Sequence, residues 1–174
     1  MSKLSPDEVI LGLLAHQSAH GYQLLDYFQR HFGHVWRLST SQLYACLKRL
    51  ESNSMIWGQE QPSYDAPTRT EYILTALGKL QLEGWLTEAH PSPSTRQIRT
   101  QFISRLHIAA LLNKPTTGII QAQVKACQQH LAALHALQQK SPSLTDQLAL
   151  SLQISEQQAM IAWLEQQVAQ DQPA

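Results

Sequence analysis

Apolar residues recur at three- and four-residue intervals over most of the chain, and between Met55 and Leu74 this helical rhythm gives way to another period. Val9, Ile10, Leu13 and Leu14 follow a start signal at Ser5-Pro6-Asp7-Glu8, with Ser5 as the expected cap, Pro6 at the first helical position and Glu8 closing the box. This first helix should end within residues 16–20. A second is expected from Gly21 to about Phe32, with Leu24, Leu25, Phe28 and Phe32 on its apolar side and Gly33 as its stop. A link through Trp36 leads to a third, where Ser39 and Gln42 have the spacing of a capping box. After Ile56 two short strands are expected, Met55-Ile56-Trp57 and Tyr72-Ile73-Leu74, joined by a polar stretch containing Pro62 and Pro67. Thr75 then caps a fourth helix carrying Leu77, Leu80, Leu82, Trp85 and Leu86.

The third helix has two unlike faces. Leu43, Leu47 and Leu50, with Cys46 at the edge, form a packing stripe; the opposite face holds Ser41, Ala45, Lys48 and Ser52, flanked by Gln42, Tyr44 and Arg49. Small residues permit close approach, amides and hydroxyls reach base edges, and cations meet phosphates, which is what an element entering a DNA major groove needs. Three helices, a two-stranded hairpin and a further helix are the order of a winged helix-turn-helix, with the third helix reading the groove and the hairpin tip touching the flanking backbone or minor groove. The expected fold class is therefore mainly α: an N-terminal winged helix-turn-helix with a two-stranded β wing, followed by a C-terminal helical dimerisation arm.

Two prolines and two serines in residues 89–94 place a linker there, giving a DNA-binding domain over 1–88 and a helical domain, with dimerisation and a possible effector as its roles, over 95–174. Thr95 restarts a helix with Ile98, Phe102, Ile103, Leu106, Ala109 and Ala110 inward, ending before residues 113–115. Another runs from near Thr116 to Lys140, and Ser141-Pro142-Ser143 turns the chain into a last helix from near Leu144 to about Gln170. At roughly 27 residues it is about 40 Å long. Leu150, Ile154, Ile161, Leu164 and Val168 approach a coiled-coil seam, interrupted by Gln157, while Leu148, Leu152, Met160 and Trp163 widen the apolar surface to a second side. So much apolar surface on one helix calls for its own hairpin partner and a second subunit. The expected dimer residues are Phe102, Leu106, Leu150, Ile154, Ile161, Leu164 and Val168.

Charge restrains this picture. The chain has 13 Lys and Arg against 13 Asp and Glu, and residues 1–90 hold seven cations against nine acids, so any DNA contact must come from a local arrangement and not from a global field. Arg37, Lys48, Arg49 and Arg69 supply that arrangement. No apolar run approaches the ~20 residues of a membrane span, and the first residues lack a signal-peptide pattern, so a cytoplasmic protein without a membrane partner is expected. Cys46 and Cys127 lie in helical apolar patterns, as reduced buried thiols do. His16 with His20, His31 with His34 and Cys127 with His130 have helical chelate spacing, yet the pairs lie in different segments and a structural site needs four ligands, so neither metal nor other cofactor is expected. No phosphate-cradling Gly loop, nucleophile elbow or paired acid and base points to an enzyme.

His20-Gly21-Tyr22, Leu43-Tyr44, Lys48-Arg49-Leu50-Glu51, Ile56, Arg69 with Tyr72, Leu74-Thr75, Gly78 and Trp85-Leu86 follow in order over about residues 8–87, with a looser match from Ile98 to Leu106. In these motifs the chain resembles the PadR family of transcriptional regulators. It implies a homodimeric DNA-binding protein, usually a repressor, with a winged-helix reader and a helical dimerisation arm. Gln42 and Ala45 stand where the family commonly has Gly and Pro around its Leu-Tyr pair, and the wing's basic pair is reduced to Arg69 followed by Thr70.

The expected function is sequence-specific binding of double-stranded DNA at a near-palindromic promoter site, the two third helices entering major grooves about 34 Å apart. The expected contacts are Arg37, Ser39, Thr40, Ser41, Gln42, Tyr44, Ala45, Lys48 and Arg49 from the third helix and its approach, and Thr68 and Arg69 from the wing. Gln42 is assigned to adenine, Lys48 and Arg49 to phosphate or guanine, and Tyr44 to the backbone. A small-molecule effector of unknown identity is allowed for, with Trp36, Trp57, Trp85 and Trp163 as candidate lining. The alternative is a winged-helix protein-interaction or assembly module without DNA binding, which the near-neutral reader favours.

Overall fold

The computed structural model describes residues 5–61 and 69–170. Its elements are α1 (Asp7–His16), β1 (Ala19–His20), α2 (Gly21–Phe32), α3 (Thr40–Ser52), β2 (Ile56–Gln61), β3 (Arg69–Leu74), α4 (Ala76–Leu86), α5 (Thr95–Gln97), a π-helical turn (Ile98–Phe102), α6 (Ile103–Leu111), α7 (Thr117–Gln138) and α8 (Leu144–Gln170). The chain forms two compact units: Met1–Thr87 with Ile103–Lys114, and Glu88–Phe102 with Pro115–Ala174. The helical run that starts at Thr95 thus contributes to both, since α6 packs with the first unit although it follows the 89–94 segment.

In the first unit α1 is the central element. Its run VILGLL is buried on every side, because α3, α4, α6 and β3 all pack against it. Gly12 permits the approach of α6: a Cβ there would lie 2.4 Å from Ile108 Cγ2. Leu24, Phe28 and Phe32 of α2, Leu43, Leu47 and Leu50 of α3, and Leu82 and Leu86 of α4 complete the core. Of the apolar residues of α4, Leu77 and Leu80 are exposed, because Gly78, Leu82, Trp85 and Leu86 take the inner side. The N-cap position of α1 is Pro6, and the Ser5 hydroxyl accepts from Arg49. Nor does Gly33 end α2 in the left-handed conformation, since its φ is −57°; the chain turns there through the Val35 and Trp36 amides donating to the Phe32 carbonyl.

The wing is longer than the apolar residues indicated. β2 and β3 pair antiparallel from Ile56↔Leu74 to Gln61↔Arg69, and β1, a strand of two residues, joins the other edge of β3 through Ala19↔Tyr72 and His20↔Glu71. Polar residues such as Gln59, Glu60, Thr70 and Glu71 carry the ladder because one face of a wing is wet, and that hides the strand rhythm.

In the second unit α7 and α8 form an antiparallel hairpin. Ile154, Gln157, Ile161 and Leu164 of α8 are buried, with Ile119, Ile120, Gln123, Cys127 and Leu134 of α7. Most of the residues expected at a dimer contact lie within this unit. Ile154, Ile161 and Leu164 fill the hairpin's own core, Leu150 and Val168 are half-buried, and Phe102 is buried with its ring 6.2 Å from that of Trp163. Leu106 is half-buried and belongs to the first unit. A stripe near the 3.5-residue period is needed equally by an intrachain hairpin, so its own partner covers it first. What α7 and α8 leave exposed is Leu137, Leu144, Leu148 and Leu152, each more than half accessible. No helix among the described residues is long and apolar enough to cross a membrane.

Candidate nucleic-acid interface

Helix α3 is fixed from both ends. Ser39 Oγ accepts from the Gln42 amide at 3.2 Å, and Gln42 Oε1 accepts from the Ser39 amide at 2.9 Å, so the capping box forms as its spacing requires. Leu43, Cys46, Leu47 and Leu50 face the core, while Thr40, Ser41, Gln42, Tyr44, Ala45 and Lys48 are exposed on one continuous side, with Arg37 and Ser39 exposed just before it. The cap engages the oxygen of Gln42. Reading adenine with both ends of that amide would need its oxygen to accept a second hydrogen bond beside that of Ser39, while the Nε2 donor has no partner among the described residues.

Arg49 lies elsewhere. Its Nε donates to Asp7 Oδ2 at 3.0 Å, Nη2 pairs with Asp7 Oδ1, and the same nitrogen donates to Ser5 Oγ at 3.0 Å and contacts Cys46 Sγ at 3.3 Å. This two-pronged pair ties α3 to the start of α1, and it raises the Arg49 pKa further above its ordinary value, chiefly through the Asp7 hydrogen bonds. Burial pushes the Cys46 thiol up to about 11, so it stays protonated and unreactive. The acid of α3, Glu51, is likewise engaged: its Oε1 accepts from the Gly58 amide at 3.0 Å, at the root of the wing.

The wing approaches α3 through aromatic side chains, of which only Tyr44 is among the expected DNA contacts. His20, Gly21, Tyr22, Tyr44, Arg69, Thr70 and Tyr72 line a cavity of about 270 Å³. His20 Nδ1 lies 3.1 Å from the Thr70 carbonyl, the His20 and Tyr22 rings are stacked at 5.6 Å, and the Arg69 guanidinium sits 5.5 Å from the centre of the Tyr22 ring. Tyr44 packs on Gly21, where an added Cβ would be 2.9 Å from its hydroxyl. Burial, with Glu51 and Tyr44 nearby, raises the Tyr72 pKa. Tyr44 and Arg69 are therefore brought to one place; Thr68 lies outside the described residues. Tyr22 and Tyr72 carried a signal only as parts of short motifs, because their meeting depends on the β1–β3 pairing.

The tryptophans are distributed. Trp36 Nε1 donates to Ser104 Oγ at 2.9 Å, Trp85 lies beneath the buried Arg105 guanidinium at 5.3 Å, Trp57 is exposed on β2, and Trp163 belongs to the second unit. Among the described residues no three His, Cys, Asp or Glu side chains group as a metal site would.

Residues 10–84 match the model of the transcriptional regulator PadR-like family. Over these residues the chain is similar to that family. The negative transcriptional regulator PadR of Bacillus subtilis (strain 168) is 26% identical over 168 residues, 90% of this chain and 91% of that protein. A probable transcriptional regulator of Mycobacterium tuberculosis is 28% identical over 79 residues, 45% of this chain and 42% of its own. Among solved structures, that of Bacillus subtilis PadR in complex with operator DNA covers 95% of this chain and 98% of its own at 24% identity, with a TM-score of 0.48. The PadR-like segment contains α2, α3, the wing and most of α4.

Proposed function

We propose that this PadR-like transcriptional regulator binds a near-palindromic DNA site as a homodimer and represses from it. The observation that carries this reading is the exposed side of α3: Ser41, Gln42, Tyr44, Ala45 and Lys48 face outward together, and the acid of the same helix is turned into the wing root. Lys48 meets phosphate, Ser41 and the Gln42 Nε2 donor meet base edges, and Arg37, Thr40 and Ser39 border the approach. Arg69, held over Tyr22, serves the wing, with Thr68 beside it in sequence. Arg49 is assigned to holding α3 in place. The repressor direction rests on the family and on the Bacillus subtilis relative being a negative regulator. Subunits are proposed to join through Leu137, Leu144, Leu148 and Leu152, the apolar surface that the hairpin leaves open. A small-molecule effector belongs to the same proposal.

The test is a titration of the full chain against DNA from upstream of its own gene at two salt concentrations, with unrelated DNA as competitor. Saturable, salt-sensitive binding of a dimer that resists the competitor is expected. No binding at low salt would overturn the reading in favour of the second one, a protein-interaction module. That alternative draws on Leu77 and Leu80 of α4, exposed by 49% and 70% in the same unit.

A further inference from the structure

In the second unit, residues 89–93 and one side of α7 line an open cavity of about 310 Å³, room for a molecule of about ten heavy atoms. Its polar lining is His90, Lys125, Gln129 and His130, and its apolar wall is chiefly Pro91 and Pro93. The wall is anchored. Gln123, only 1% exposed, donates from Nε2 to the Ser92 carbonyl at 2.9 Å, which fixes the segment between the two prolines onto α7. Proline rings restrict the same segment further, so the cavity is shaped before anything enters it.

The polar groups of this cavity are uncommitted. Among the described residues, the side chains of His90, Lys125, Gln129 and His130 make no hydrogen bond or ion pair with another residue. Neither α7 nor residues 89–94 contains an Asp or Glu, so Lys125 has no acid to pair with in the elements that build the cavity. The nearest acid along the chain, Glu88, has a partner of its own. An ammonium with three donors, two imidazoles and an amide, gathered with no carboxylate, are complementary to an oxyanion and to little else. We infer that this cavity is a binding site for a small metabolite bearing a phosphate ester or a pair of carboxylates. The oxyanion is held by Lys125, His90 and His130, and the carbon body runs along Pro91 and Pro93.

This site does not depend on DNA binding and is tested without it. The full-length protein is titrated with glycerol 3-phosphate, with succinate and with neutral glycerol at constant ionic strength. The imidazole Cε1–H resonances of His90 and His130, assigned with H90Q and H130Q, report occupancy. Saturable movement of both resonances by at least one of the two anions, none by glycerol, and binding at least tenfold weaker in Lys125→Gln are expected. Whichever anion binds more tightly identifies the headgroup. Equal movement with glycerol, a linear drift without saturation, or a Lys125→Gln variant that binds as tightly as the unchanged protein overturns the proposal.

Discussion

Arg49 and Lys48 are neighbours in sequence with opposite assignments, and substituting each by alanine separates them. Arg49 joins α3 to α1 through two bonds to Asp7 and one to Ser5. Its side chain is 45% accessible and that of Asp7 20%, so solvent screens the pair, which is worth about 0.5–1 kcal/mol. For a chain of this size, that loss lowers Tm by about 1–4 °C. Lys48 is exposed and has no side-chain partner among the described residues, so Lys48→Ala should leave Tm unchanged. Binding to upstream DNA behaves the other way. In the proposed dimer, Arg37, Lys48 and Arg69 give three cations per subunit and six in all, hence a slope of log K against log salt no steeper than about −5, where counting Arg49 as well would allow about −7. Lys48→Ala should flatten the slope by about 2, one phosphate contact being lost in each subunit. Arg49→Ala should leave it unchanged. Fluorescence anisotropy between about 50 and 200 mM salt reads the slope, and thermal denaturation reads Tm. An Arg49→Ala protein with unchanged Tm and a slope flattened as in Lys48→Ala would refute the reasoning, since Arg49 would then leave Asp7 for DNA.

Two glycines of α4 should respond oppositely to alanine. A Cβ at Gly78 would lie 2.1 Å from the Met55 carbonyl oxygen, a backbone atom that cannot step aside, so Gly78→Ala should cost about 1–3 kcal/mol in denaturant unfolding; Gly84 has nothing within 4 Å, and Gly84→Ala should add up to about 1 kcal/mol. In α8, Leu148→Glu with Leu152→Glu should give a folded monomer by light scattering, whereas Leu164→Ala, at a fully buried position, should cost about 2–4 kcal/mol of stability. His107 accepts or donates across 3.1 Å to the Tyr27 hydroxyl, with the rings of His31 and Phe32 beside it, and burial together with His31 holds its pKa below 6.5. As pH falls, the unfolded imidazole takes up its proton first, so this contribution is present above the ordinary pKa and is lost as pH drops through the folded one. Urea unfolding at about pH 7.5 and about pH 5.5 should show a smaller loss on acidification in His107→Gln than in the unchanged chain.

Local chemistry was enough for much of the fold. The cap of α3 needed only Ser39 and Gln42 at the right spacing, Thr75 likewise caps α4 by accepting from the Gly78 amide, and Ser141-Pro142-Ser143 sets where α8 begins. The buried side of α3 followed from period alone, because Leu43, Leu47 and Leu50 recur on one stripe and nothing apolar competes on the other side. In such cases the deciding interactions lie within four residues of one another, and a sequence displays them directly.

The tertiary structure decided whatever depends on a partner far along the chain. Arg49 reads as one more cation of the third helix until α1 brings Asp7 to it across 42 positions. β1, two residues long, is too short to have a rhythm and exists because β3 offers it an edge. α8 carries apolar residues on two sides, so its sequence names two faces, and α7 selects Ile154, Ile161 and Leu164 while leaving Leu148 and Leu152 outside. The same holds for the site: Tyr22 and Tyr72 meet Tyr44 and Arg69 only through strand pairing, and the donors His90 and Lys125 meet only because Gln123 pins the proline segment to α7. Periodicity records how a helix divides its own surface, whereas which side is covered, and by what, is a property of the neighbours that arrive.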